Sequence, residues 1–380
     1  MIQNFKILFF LFIVFNGVSC KSETDKVAEK VISRQAIIDS TVIQFQKKFL
    51  SKEIDSVFAR YHFNGSVGVF QGENVLYRKD QGFENFGTKT KIDSNSVFAI
   101  ASISKHFTAV LILLQEENGK LKTDDPVSKY LKEFEPREFK NITIKQLLNH
   151  TSGISDFGNG LLSKPGTEFH YSNKGFRLLG KIIEKVTGKS YYENALELFQ
   201  KIGMKNSSTA NLFKGNHFAG AFTGNEKKFM EVENMPKRLA NSEISVPAGG
   251  ILTTVSDLHL WNRKLYGGEI LKPESLSKFL EKSSDRNHPV FGKMGYGLGI
   301  MTSTNLPLSY FHSGYVKGAP SLLIYYPETK TSVVILSNIA DQAKGKNAVF
   351  NPHKAIKKTT DSLQTAAIDF RKILLKDTLQ

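Results

Sequence analysis

Ser102-Ile103-Ser104-Lys105 sets a hydroxyl and an amine three residues apart at the mouth of a long apolar run. On a helix that spacing brings both side chains to one face. The amine can then take the proton of the hydroxyl with no help from the rest of the fold, which makes a nucleophile beside a base. A Ser cap next to a solvated Lys has the same pattern, and exposed helix faces carry many such pairs. The sequel separates the two readings. Phe107, Val110, Leu111, Leu113 and Leu114 mark a buried helix, and lysine is almost never buried without a partner.

Two further segments offer matching chemistry. Tyr171 and Asn173, two apart before a helix, point the same way from an extended loop and supply a phenol that can relay a proton and an amide that can orient a neighbour. The same residues also fit a plain helix start, with Asn173 as cap and Tyr171 packed. On a strand, His312 and Gly314 share a face, and the glycine would let a substrate backbone approach closely. His150-Thr151-Ser152-Gly153 closes a short helix and reads as structural, lining a pocket. His150, His170 and His312 lack ligand spacing with one another, so no metal or other cofactor is expected.

The elements that must carry these residues follow from pattern. Ser66–Phe70 and Val75–Tyr77 flank Gln71-Gly72-Glu73-Asn74 as a hairpin. From Ser102 to about 235 the pattern is helical, over Ser104–Glu117, Ile144–Leu148, Lys174–Val186 and Tyr191–Gln200. Strand patterns return in Tyr296–Met301, Ser321–Tyr326 and Thr331–Ser337, and Ala355–Leu375 is helical. Early and late strands are each too few for a stable sheet and should pair with one another. The expected fold is α/β in the α+β sense: an antiparallel sheet flanked by helices, built from 41–101 and 240–380, with an all-helical domain inserted at 102–239.

Lys6 and the apolar run Ile7–Phe15 match an export signal and are too short to span a bilayer. Cys20, the only cysteine, stands where a bacterial lipoprotein is cleaved and acylated; a plain secretory signal is the other reading. Residues 1–20 are therefore expected to be a lipoprotein signal and the polar residues 21–40 a tether, giving an exported, membrane-anchored chain. The net charge of +15 suits anionic partners. Its lysines and arginines are scattered without interleaved aromatics, which argues for a solvated surface and against nucleic acid.

In order along the chain stand Phe98–Lys105, Gly119-Lys120-Leu121, Asp124–Val127, Leu147–Gly153, Tyr171-Ser172-Asn173, Pro247–Gly250 and His312-Ser313-Gly314. In these motifs the chain resembles the serine β-lactamase and penicillin-binding-protein superfamily, in its class C-like branch, from about residue 60 to 340. The resemblance implies the β-lactamase-like fold, acylation of Ser102, and proton transfer by Lys105 and Tyr171. It further implies that Asn173 holds Lys105 and a substrate amide, that His312, Ser313, Gly314 and Tyr315 form the substrate strand, and that the Ser102 and Tyr315 N–H groups make an oxyanion hole. Where this chain has His312, most β-lactamases and penicillin-binding proteins carry a lysine that grips a carboxylate. A neutral histidine there points to a peptidase or esterase. A β-lactamase or D,D-carboxypeptidase of cell-wall peptides is the alternative, and a non-catalytic binder of such peptides a second one. The expected partner is a small-molecule or peptide substrate.

Overall fold

The computed structural model describes residues 23–376, apart from 137, 159, 242–244 and 344. The Cys20 expectation lies outside the described residues. Among these residues no helix is long and apolar enough to cross a membrane.

Eight antiparallel strands make the main sheet, in the order Ser284–His288, Gly292–Tyr296, Met301–Thr302, Tyr310–Val316, Ala319–Tyr326, Thr331–Ser337, β1 (Gly65–Gln71) and β2 (Asn74–Gln81). Early and late strands do pair: β1 runs beside Thr331–Ser337 from Gly65↔Ser337 to Gln71↔Thr331. Every residue of Thr331–Ser337 is buried, as expected of a strand covered on both faces. Val333 and Ile335 face Leu50, Ile54, Ile356 and Leu363 of α1 (Glu23–Tyr61) and the C-terminal helix Asn351–Lys376. Val334 and Leu336 face the larger core shared with the helix Val255–Tyr266 and the helical block.

Three expectations need correction. Residues 23–40 are not a tether but the first part of α1, because Ile38 and Val42 extend its apolar stripe onto Ala367 and Phe370, with an Asp39–Arg371 ion pair of 2.7 Å beside them. The inserted block is not all helical: Ser208–Thr209, Phe222–Asn225 and Lys228–Glu231 are strands, and Phe222–Asn225 runs parallel to Ile339–Ala340 of the sheet side. Tyr296–Met301 is not one strand. It closes Gly292–Tyr296, turns through Gly299 at φ +79° and resumes as Met301–Thr302.

The helices that carry the site form where their signals stand. α2 (Ser104–Glu117) is buried from Ser104 to Leu113 and stacks Phe107 on Trp261 at 4.0 Å. α3 (Ile144–Leu148) and α5 (Tyr191–Ile202) each open on a capping box, Thr143 with Gln146 and Ser190 with Glu193. α4 (Asn173–Thr187) is capped by the Ser172 hydroxyl, which accepts from the Gly175 N–H, so the cap is Ser172 and the Asn173 side chain is free for other work.

Candidate active site

Ser102 sits in the 3-10 turn Ala101–Ile103 that leads into α2. Ala101 holds φ at +46°, a conformation that costs a side-chain-bearing residue about 1–3 kcal/mol and persists only where the surroundings fix it. Here the fixing groups are close by. The Ile100 N–H donates to Ile251 O at 3.2 Å, the Ile251 N–H to Ser104 Oγ at 3.0 Å, and the Ser321 hydroxyl to Ile100 O at 2.9 Å.

Lys105 is fully buried and not solvated. Its ammonium has three donors and three acceptors: Ser102 Oγ at 3.2 Å, Asn173 Oδ1 at 2.8 Å and Ala248 O at 2.8 Å. Burial pushes its pKa below the ordinary lysine value; Tyr171 and Asp156 oppose that push and Arg286 reinforces it. The ammonium thereby gives up its proton more readily than an exposed lysine, which suits a base beside the nucleophile. Ala248 belongs to the short helix Val246–Gly249 inside the Pro247–Gly250 motif, whose carbonyl role the sequence did not disclose.

Asn173 is oriented by Asp156. One carboxylate oxygen accepts from the Ser172 hydroxyl (2.8 Å) and the Lys174 N–H (2.9 Å), the other from Asn173 N–H (3.0 Å) and Asn173 Nδ2 (3.3 Å). With its amide nitrogen turned to Asp156, Asn173 presents its carbonyl oxygen to Lys105. The negative charge also lies at the N-terminus of α4, where the helix dipole favours it. Nothing local in the sequence connects Asp156 to residues sixteen positions on.

Tyr171 has two basic groups beside it: Lys105 Nζ is 4.8 Å and the Arg286 guanidinium 4.5 Å from its ring centre. Arg286 comes from the strand Ser284–His288. Its guanidinium also approaches Phe169 and Tyr296, and among the described residues it has no carboxylate partner. Sequence reasoning missed it, since Ser-Asp-Arg-Asn-His has neither apolar alternation nor β-branched residues.

The strand Tyr310–Val316 divides its four expected residues between two faces. His312 faces His106 of α2 and Gly314 the Ile100 carbonyl before the nucleophile turn, whereas Ser313 bonds His288 Nε2 at 3.2 Å and Tyr315 packs near Phe350 on the opposite side. The Ser313 side chain is thus turned away from Ser102, contrary to a direct substrate role. Along this strand Met301–Thr302 covers only Phe311 and Tyr310. The two-residue turn Lys317-Gly318 closes on Val316↔Ala319, so the ladder's alternation turns the Tyr315 N–H to the edge that Met301–Thr302 leaves uncovered.

Two further corrections concern this strand. A Cβ on Gly314 would stand 2.1 Å from Ile100 O and 2.4 Å from Ser321 Oγ, so the glycine makes room for the chain's own nucleophile turn and not first of all for substrate. His312 is buried, with Nε2 bonded to Tyr296 Oη at 3.0 Å and Nδ1 to Ser313 O at 2.7 Å. Its pKa is held well below the ordinary value, by burial first and then by His106, Arg286 and Lys105. The ring is neutral, as expected, but keeps no free nitrogen for a substrate. His150 is buried beside Tyr171, 4.3 Å between ring centres. Among the described residues, Glu84, Asp93 and His217 form the one grouping able to hold a metal, and it contains none of the site residues.

The Beta-lactamase family model matches residues 47–350. Penicillin-binding protein 4* of Bacillus subtilis is 26% identical over 343 residues, 80% of this chain and 75% of the relative. Protein Flp of Staphylococcus aureus is 27% identical over 307 residues, and the chain spans only 59% of Flp's length. The crystal structure of D-amino acid amidase from Ochrobactrum anthropi has the same fold, with a TM-score of 0.70 at 19% identity over 84% of this chain and 99% of the amidase. A match over most of the chain, on a fold that gathers Ser102, Lys105, Tyr171 and Asn173 from three elements, identifies the chain as a member of the Beta-lactamase family and a serine hydrolase.

Proposed function

We propose that the chain cleaves an amide or ester bond through an acyl-enzyme on Ser102. The observation that carries this reading is the buried Lys105 amine, 3.2 Å from Ser102 Oγ and fixed from two other sides. In the first step Ser102 Oγ bonds the substrate carbonyl carbon while its proton passes to neutral Lys105. The carbonyl oxygen becomes an oxyanion before the Ser102 and Tyr315 N–H groups. As the C–N or C–O bond breaks, the proton is returned to the leaving group through Lys105 and Tyr171. Water then attacks the acyl carbon by the reverse route, giving up a proton to the same pair, which passes it to Ser102 Oγ as the acyl–oxygen bond breaks and the acid is released. Intact-mass measurement after a fluorophosphonate should find one adduct on wild type and none on Ser102→Ala. An adduct that persists in the variant overturns the assignment.

A neutral His312 without a free nitrogen favours a peptidase or esterase over a β-lactamase. Arg286 favours a second reading, in which the substrate carries a carboxylate, as a D,D-peptide or a β-lactam does. Its guanidinium is a permanent cation on the Tyr171 ring with no carboxylate partner among the described residues, and Arg recognises carboxylates bidentately. We also propose an exported chain anchored through lipid on Cys20; detergent-phase partitioning that survives Cys20→Ala would refute the anchor.

A further inference from the structure

Four hydrogen bonds run through the interior behind Ser102 without a gap. The Ser172 N–H meets His150 Nδ1 at 3.1 Å, His150 Nε2 meets Tyr296 Oη at 3.2 Å, Tyr296 Oη meets His312 Nε2 at 3.0 Å, and His312 Nδ1 meets Ser313 O at 2.7 Å. Both ends are backbone groups of fixed sense, so with both imidazoles neutral every link has one direction only. An amide N–H can only donate, which makes His150 Nδ1 an acceptor and puts the proton of His150 on Nε2. A carbonyl can only accept, which puts the proton of His312 on Nδ1 and leaves Nε2 to accept from Tyr296. Tyr296 therefore takes a hydrogen bond from one imidazole and gives one to the other. A His150 cation, or either ring in its other tautomer, breaks a link, and a His312 cation would leave the Tyr296 hydroxyl proton without an acceptor in the chain.

The groups around the chain keep it in that state. His150, Tyr296 and His312 are fully buried or nearly so. Burial, with Lys105 and Arg286 nearby, holds both imidazoles well below the usual histidine pKa, and burial raises that of the Tyr296 phenol, which stays a donor. His106, edge-on to His312 at 5.8 Å, is neutral for the same reason, its pKa lowered to about 3. Tyr171 closes the His150 side.

What the chain joins gives it a function. Ser172 lies between Tyr171 and Asn173; Ser313 lies between His312 and Gly314, and Gly314 abuts the carbonyl two residues before Ser102. We propose that Tyr296 is a positioning residue that, through His150 and His312, fixes the distance between the Tyr171–Asn173 loop and the Gly314 strand, the two walls that hold Ser102. The proposal rests on Ser102 as nucleophile and assigns Tyr296 no contact with substrate.

Isotope-labelled histidine nitrogens, followed by NMR in the whole protein and assigned by loss of signal in His150→Gln and His312→Gln, test it directly. Wild type should show His150 protonated on Nε2 and His312 on Nδ1, both neutral across neutral pH. Either ring in the other tautomer or cationic overturns the proposal. Tyr296→Phe should disturb both signals and lower kcat roughly tenfold or more, with KM for a small ester little changed. Tyr326→Phe is the control. It removes an equally buried phenol that bonds Thr360 and Asp361 on the far face, and should lose stability while leaving kcat and both histidine signals as they are. Undiminished kcat in Tyr296→Phe, or an equal loss in both variants, also overturns it. Absence of a Ser102 adduct in wild type would instead sink the nucleophile and leave the tautomers standing.

Discussion

Gly314→Ala is the smallest change that should separate the two halves of the site. A methyl at this position would lie 2.1 Å from Ile100 O and 2.4 Å from Ser321 Oγ, whereas Cβ contacts below 3.0 Å essentially never occur. The strand or the nucleophile turn must therefore move by about 0.9 Å before repulsion is relieved. Neither neighbour gives way cheaply. Ile100 O is backbone two residues before Ser102 and accepts from the Ser321 hydroxyl, while the Ile100 N–H is bonded to Ile251 O. A shift near 1 Å between nucleophile and oxyanion donors costs roughly 10²-fold in rate, and the added methyl costs about 1–3 kcal/mol of stability. Stopped-flow acylation by a p-nitrophenyl ester, with urea unfolding of the same samples, reads both quantities. Wild-type acylation in a folded Ala variant would show that the strand and the turn do not set each other's position, and the account of the site would fail.

Lys105→Met should lower kcat by roughly 10²-fold or more and remove the rising limb of the pH profile of fluorophosphonate labelling. In wild type that limb should level off below the ordinary lysine pKa, because burial depresses Lys105 and the neutral amine is the reactive form; a limb unchanged in the Met variant excludes Lys105 as its source. The sign for stability is the reverse of a salt-bridged lysine. Between the folded and unfolded pKa the unfolded chain binds a proton that the folded chain does not, so the penalty for burying Lys105 shrinks as pH rises through the folded value. Arg286→Ala should raise KM for carboxylate-bearing peptides by about 10–10²-fold, the loss of one charge-assisted hydrogen bond, and hardly affect uncharged esters. Equal effects on both substrates would make Arg286 a packing residue only.

Local chemistry was legible in the sequence, and so was the order of the parts. Ser102, Lys105, Tyr171 and Asn173 could be named because a spacing of three on a helix and of two in a loop already fixes which side chains share a face. The helices Ser104–Glu117 and Ile144–Leu148 matched to the residue for the same reason: capping and apolar period are local signals. Groups that act across the fold left no such trace. Ala248 works through its carbonyl, which every residue has. Asp156, Tyr296 and Arg286 reach partners through the meeting of distant segments, and Arg286 rides on a polar strand with no β pattern. His312 shows the limit most clearly. Its replacement of the usual lysine was visible, and its neutrality followed from residue type. That Tyr296 and the Ser313 carbonyl occupy both ring nitrogens depends on a hairpin the sequence did not announce. The cation that most β-lactamases carry where this chain has His312 is thus not simply lost. Arg286 brings a permanent charge to the Tyr171 ring from another strand, and that separates the carboxylate question from His312: substitutions at 312 should act through the buried hydrogen-bond chain, those at 286 through the substrate.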